Sequence, residues 1–169
     1  GDVYKRQVIG GADSANLTER ALDAFIALGR PDIEVDVVIG VSSRHGAAVR
    51  QKADGRANVN LHSGLPSLAA LMLAADLAIG AGGVTHWERL CLGLPSLVIT
   101  LADNQRSASE ELDRLGLIRL LGHYDQVDCQ MVTGALDRLI ELGLPKDWSL
   151  HCMAMVDGHG TERVRAAIG

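Results

Sequence analysis

The run Ala78-Ile79-Gly80-Ala81-Gly82-Gly83-Val84-Thr85-His86-Trp87-Glu88-Arg89 gathers more groups able to do chemistry than any other stretch of the chain. Glycines at a strand's carboxyl end let the backbone turn tightly and come close to a ligand. A helix that follows aims free N–H groups and the positive end of its dipole at the same place, which suits an anion. Thr85 adds a hydroxyl donor. A diphosphate would sit well there. A plain strand-to-helix turn needing φ > 0 has the same local pattern, and the pattern alone weighs the two readings evenly. Two nucleotide signatures fail: Gly80 and Gly82 begin a G-x-G-x-x-G, but Thr85 holds the third glycine position, and G-x-x-x-x-G-K-[ST] is absent. Neither NAD(P) nor ATP is favoured.

Glu88 lies one turn into the helix, where a carboxylate can accept the two hydroxyls of a ribose. Taken alone, it reads better as a helix N-terminal acid favoured by the dipole. Arg89 reads as a surface or salt-bridge residue, His86 as an exposed first-turn residue, and Cys91 as core rather than nucleophile. In Gly10-Gly11-Ala12-Asp13-Ser14 the glycines can approach a phosphate or sugar, while Asp13 or Ser14 reads first as a helix cap. The amides of Ala102-Asp103-Asn104-Gln105 can read sugar hydroxyls, with capping by Asp103 or Asn104 as the alternative. The six histidines contain no H-x-x-x-H spacing, and there is no G-x-S-x-G. No metal site and no catalytic residue is assigned.

These groups need a frame. Short β-branched runs alternate with helical ones. Gln7–Gly10, Val35–Val41, Ala57–Leu61, Asp76–Ile79, Ser96–Leu101 and, weakly, Ile118–Leu121 read as strands. Asn16–Leu28 (capped by Asn16 or Ser14), Arg44–Ala53, Leu65–Ala75, Thr85–Leu92, Gln105–Leu115, Val132–Leu142 and Thr161–Ile168 read as helices, and Pro145–Ser149 as a short connector. Val35–Val41 is almost continuously apolar, the pattern of a strand buried on both faces. The alternation implies an α/β fold with a Rossmann-like parallel sheet flanked by helices. Such sheets bind ligands outside the carboxyl ends of their strands, the edge that carries Gly10–Ser14 and Gly80–Thr85.

The 169 residues suit one domain, 47% are apolar, and the net charge is −5. That balance gives no basic footprint for nucleic acid or a membrane surface, yet leaves open a small phosphate ligand held by backbone N–H groups. Three cysteines without a C-x-x-C argue against a disulfide framework and for a reducing cytoplasm. The longest apolar run, Leu68–Ile79, is too short for a membrane span and is broken by Asp76. No secretory signal is seen. Residues 1–7 read as a non-native or disordered stub, and 8–169 as a single domain forming the downstream part of a longer protein.

Gly80–Ile99 followed by Ala102–Gln105 resembles the carboxy-terminal half of the pseudaminic-acid pathway UDP-sugar hydrolases, whose substrate is a UDP-linked 2,4-diacetamido-2,4,6-trideoxy-altropyranose. Gly10–Thr18 and Val156–Arg163 are similar to the same group. The middle motif is shared at superfamily level with spore-coat polysaccharide proteins and lipid II-forming glycosyltransferases. The resemblance implies one half of a GT-B architecture, two Rossmann-like domains with substrate in the cleft between them. It implies that Gly82, Gly83, Val84 and Thr85 face the diphosphate, Glu88 the ribose, and Asn104 and Gln105 the sugar, with Gly11 and Ala12 lining the cleft. The water-activating histidine of those hydrolases belongs to the amino-terminal domain, so no residue here inherits it, and no cofactor or metal is implied. The implied partners are a UDP-sugar and the amino-terminal domain of the same protein. The implied reaction is attack by water releasing UDP and the free sugar, with this half alone inactive. A donor-binding domain of a UDP-sugar glycosyltransferase and a non-enzymatic nucleotide-sugar-binding module are the alternatives.

Overall fold

The computed structural model describes residues 6–10 and 15–168. Six strands form one sheet: β1 Arg6–Gly10, β2 Glu34–Ile39, β3 Val59–Ser63, β4 Leu77–Ala81, β5 Ser96–Thr100 and β6 Arg119–His123. All neighbours are parallel, in the order β3-β2-β1-β4-β5-β6. The helices are α1 Leu17–Leu28, α2 Gly46–Ala53, α3 Ala69–Ala74, α4 Thr85–Cys91, α5 Arg106–Arg114, α6 Cys129–Leu142, α7 Trp148–Met155 and α8 Gly160–Ile168. The chain steps outward from β1 in one direction through β2 and β3, then returns to place β4 on its other side. The crevice between β1 and β4 is therefore the topological switch point, where open α/β sheets hold ligands. Gly10 and Gly80 face each other across it.

Alternation along the strands decides which helices pack where. Val35, Val37 and Ile39 of β2 join Leu77, Ile79 and Ala81 of β4 in one cluster with Leu17, Ala21, Leu22 and Phe25 of α1 and Val132, Leu136 and Leu139 of α6. Val38 and Ala78, pointing the other way, pack with Met72, Leu68 and Leu71. β4 and β5 are buried along their whole length. That is the continuous-apolar pattern of strands covered on both faces.

Several boundaries differ from the sequence expectation, each for a local reason. β2 stops at Ile39, because a turn closed from Ser43 N–H to Gly40 O follows at 3.0 Å and leaves Val41 exposed. β3 lies two residues later than expected. α2 begins at Gly46 rather than Arg44. α3 begins only at Ala69, after Pro66 and a turn in which Ser67 Oγ accepts from Ala69 N–H at 3.2 Å. α6 begins earlier, at Cys129, because Asp128 Oδ1 caps it by accepting from Met131 N–H at 2.8 Å. Asn16 is not a cap: it takes a left-handed conformation, φ 55°, and its amide donates to the Glu19 carboxylate. Ser14, the other cap candidate, lies outside the described residues.

The expected connector Pro145–Ser149 is instead the entry to a helix, α7. Its anchors are Trp148 and Cys152, one turn apart. Trp148 Nε1 and Cys152 Sγ both donate to the Leu117 carbonyl, at 2.9 and 3.2 Å. Burial pushes the Cys152 thiol up to about 11, so it stays protonated at neutral pH. α7 lies against the end of α4, where Gly93 (φ +67°) leaves no room for a side chain: a Cβ there would stand 2.7 Å from Ser149 Oγ and 2.8 Å from Met153 Cγ.

Candidate functional site

The glycine turn is built on the carboxyl end of β4. Gly80 and Ala81 belong to the strand, so the loop proper is shorter than the sequence implied and begins at Gly82. Gly82 is buried, and its N–H donates to the Ile99 carbonyl at 3.2 Å. A Cβ on it would stand 3.0 Å from Ser109 Oγ and 3.2 Å from Gln105 Cβ and Oε1. A side chain here would crowd both neighbours, and the Gly82 N–H is already spent. Gly83 has φ +119°, open only to glycine without strain. The N–H groups of Gly83, Val84 and Thr85 find no acceptor among the described residues; those of His86 and Trp87 bond back to Gly83 O and Val84 O at 3.0 and 3.1 Å. Three consecutive donors without an acceptor among the described residues thus sit beside the switch point, with Val84 exposed and Thr85 half-buried.

The segment after β5 braces this loop. Asp103–Gln105 is a short 3-10 turn. Gln105 Oε1 accepts from Leu101 N–H at 2.8 Å, and its Nε2 lies 3.3 Å from where a Cβ on Gly83 would be. Gln105 is half-buried against the glycines while Asn104 is exposed beside it. Neither Asp103 nor Asn104 caps α5; Asp103 Oδ1 lies 3.2 Å from Arg106 Nε. Gly11, Ala12, Asp13 and Ser14 lie outside the described residues, although Gly10, where β1 ends, is paired with Gly80.

On the other side of α4, Glu88 is exposed and opens onto a groove of about 680 Å³. Its remaining wall is Leu65, Pro66, Ser67, Leu68, Ala69, Met72, Trp87, Cys91 and Leu92. A groove of this size accepts a small organic ligand. Sequence reading missed Leu65–Leu68 and Trp87 as lining. Their signal was an apolar segment directly after a strand's carboxyl end, which taken alone looks like a helix start.

His86 and Arg89 correct the sequence reading outright: both are buried, at 2% and 4% exposure. Arg89 Nη2 donates to the Ala81 carbonyl at 2.8 Å and to His86 Nδ1 at 3.3 Å. Because Nδ1 accepts, the ring proton is on Nε2, which donates to Ser109 Oγ at 3.0 Å. Burial, and then the Arg89 charge, holds His86 down at about 4. The folded form thus resists a proton that the unfolded chain accepts near pH 6.5. The stability this neutral histidine permits is complete above pH 6.5 and is lost as pH falls toward 4. Urea unfolding compared at high and low ends of that window is expected to show a deficit of about 2–3 kcal/mol from this group, absent in His86→Gln.

Among the described residues no group of three or more His, Cys, Asp and Glu is placed to hold a metal ion, and no helix is long and apolar enough to cross a membrane.

No family model matches the chain. It is 30% identical over 165 residues to the spore coat polysaccharide biosynthesis protein SpsG of Bacillus subtilis, an alignment covering 95% of this chain and 48% of that protein. The chain therefore spans about half the length of this curated relative. Among solved structures it superposes on MurG of Acinetobacter baumannii with TM-score 0.76 at 18% identity, over 97% of this chain and 49% of that one. It matches the UDP-GlcNAc 2-epimerase of Neisseria meningitidis, solved bound to UDP-GlcNAc, with TM-score 0.71 at 18% identity, over 99% of this chain and 44% of that one. The chain thus has the fold of one half of a GT-B architecture, a Rossmann-like parallel sheet flanked by helices.

Proposed function

We propose that this chain is the nucleotide-sugar-binding half of a UDP-sugar hydrolase, with residues 8–169 as one domain and an amino-terminal domain of the same protein closing the cleft. The observation that carries the reading is the run of three free N–H groups, Gly83 to Thr85, beside the switch point and next to the Glu88 groove. Those donors would hold the diphosphate, and Gly82 would shape the loop rather than donate. Glu88 would accept the ribose hydroxyls, with the nucleoside in the groove beside Trp87 and Leu65. Asn104 and Gln105 would face the sugar, and Gly11 and Ala12 the opposite wall. Water would replace UDP on a diacetamido-trideoxy sugar, as in nonulosonic (pseudaminic) acid synthesis, and loop donors would stabilise the departing diphosphate. The water-activating group would come from the amino-terminal domain, in a cytoplasmic enzyme. The resemblance of Gly80–Ile99 to the hydrolases supports this choice.

Calorimetric titration with UDP, UMP and NAD tests the ligand class: a clear preference for UDP is expected, and none would sink the proposal. Glu88→Ala is expected to weaken UDP about tenfold while changing stability by under about 0.5 kcal/mol, since Glu88 is exposed and in no ion pair among the described residues. Equal loss of binding and stability would return Glu88 to the role of a helix-start acid. The second reading is a glycosyltransferase donor domain, and the shared superfamily motif favours it. Incubating the longer protein with a UDP-sugar and no acceptor separates the two: only the hydrolase releases UDP and free sugar.

A further inference from the structure

Behind the glycine loop runs a chain of buried polar groups that nucleotide binding, as described, does not use. It links Ser109 Oγ on α5, His86 and Arg89 on α4, and the Ala81 carbonyl at the end of β4. Arg89 is its charged member. Nη2 serves both Ala81 and His86, while Nε is enclosed and has no acceptor among the described residues. Among the described residues no carboxylate lies within ion-pairing distance of Arg89; Glu88, next in sequence, acts on it only through space. Burial pulls the guanidinium down to about 10, which still leaves it charged at neutral pH. A buried cation with no carboxylate partner among the described residues is costly to keep. The cost makes sense if the counter-ion comes from outside. The chain also touches the loop, since Ser109 Oγ would stand 3.0 Å from a Cβ on Gly82.

We infer that Arg89 is a positioning residue and buried counter-charge for the ligand's phosphates, acting through the Ala81 carbonyl and the Gly82–Thr85 loop, so that the site selects a multiply charged nucleotide over the neutral nucleoside. The inference rests on the nucleotide-binding reading above. It needs no contact between Arg89 and the ligand, because a charge in a low-dielectric interior is felt across several ångströms. His86 fits the same logic: held neutral, it orients the guanidinium without adding a second buried charge.

The test is calorimetry of the chain with UDP and uridine, in the wild type, Arg89→Gln and Arg89→Lys. Glutamine keeps a donor for the Ala81 carbonyl and removes the charge; lysine keeps the charge. In Arg89→Gln, UDP affinity is expected to fall about tenfold or more while uridine affinity stays within about twofold, and Arg89→Lys is expected to keep most of the UDP preference. Equal losses for UDP and uridine in Arg89→Gln, or a lysine variant as deficient as the glutamine one, would show a structural role only and overturn the inference. Should Arg89→Gln not fold, the lysine variant decides: a UDP-to-uridine ratio near that of the wild type supports the inference, and a collapsed ratio overturns it. A wild type that binds UDP no better than uridine would instead defeat the nucleotide reading, and this inference with it.

Discussion

Gly82→Val is expected to weaken UDP binding by about a hundredfold or more in a protein that still folds. A Cβ at this position meets Ser109 Oγ at 3.0 Å and Gln105 at 3.2 Å. Neither neighbour can retreat freely: Ser109 is bonded to His86, and Gln105 to the Leu101 N–H. The loop must move, and the donors of Gly83, Val84 and Thr85 move with it. Charge-assisted hydrogen bonds contribute about 1.5–3 kcal/mol each, so misaligning two of them reaches that loss. Overpacking should cost about 1–3 kcal/mol of stability. Calorimetry beside a thermal melt reads both. A folded variant with unchanged UDP affinity would mean that the phosphates lie elsewhere.

Gly93→Ala should be the most destabilising of these single changes, with UDP affinity preserved in whatever fraction folds. A left-handed backbone costs a non-glycine residue about 1–2 kcal/mol. The new methyl would also press on Ser149 Oγ at 2.7 Å and Met153 Cγ at 2.8 Å. With overpacking added, the total is about 2–5 kcal/mol, read as a drop in the urea midpoint. Gly116→Ala is the internal control. Its φ is +72°, but nothing lies within 4 Å of the added Cβ, so it should show the backbone cost alone. Equal losses at the two sites would mean that α7 packs too loosely against α4 to resist the methyl.

The α/β class, the parallel sheet and the position of the glycine turn were readable because they rest on local signals: alternation of apolar runs and glycines at strand ends. What escaped depended on neighbours distant in sequence. Trp-Ser-Leu-His-Cys-Met-Ala-Met has no apolar stripe, and only Trp148 and Cys152 reach the core, so α7 went unread and its first residues fell within the expected connector Pro145–Ser149. Arg89 and His86 looked like surface residues by type. They are buried because α5 brings Ser109 to them and because the strand end supplies a carbonyl. For Gly82 the sequence showed a glycine but not the reason for it, which is Gln105 from the 3-10 turn after β5 and Ser109 from α5. The groove beside Glu88 was likewise invisible, since Leu65–Leu68 and Trp87 meet only in three dimensions.

The strand order also bears on the moment at which the site comes into existence. Of the six strands β1 is made before the rest, yet it lies in the middle of the sheet, and Gln7 must wait for Leu77 to be joined on that side. Until β4 emerges during synthesis, β1 presents a raw edge of unpaired amides, the kind of surface that invites wrong partners. Closing that seam spans a long stretch of chain, which makes it a slow, entropically expensive step. The crevice proposed for the ligand is the same seam. A nucleotide that binds there can hold together only a chain whose two half-sheets have already met, so its presence should slow unfolding without hastening folding.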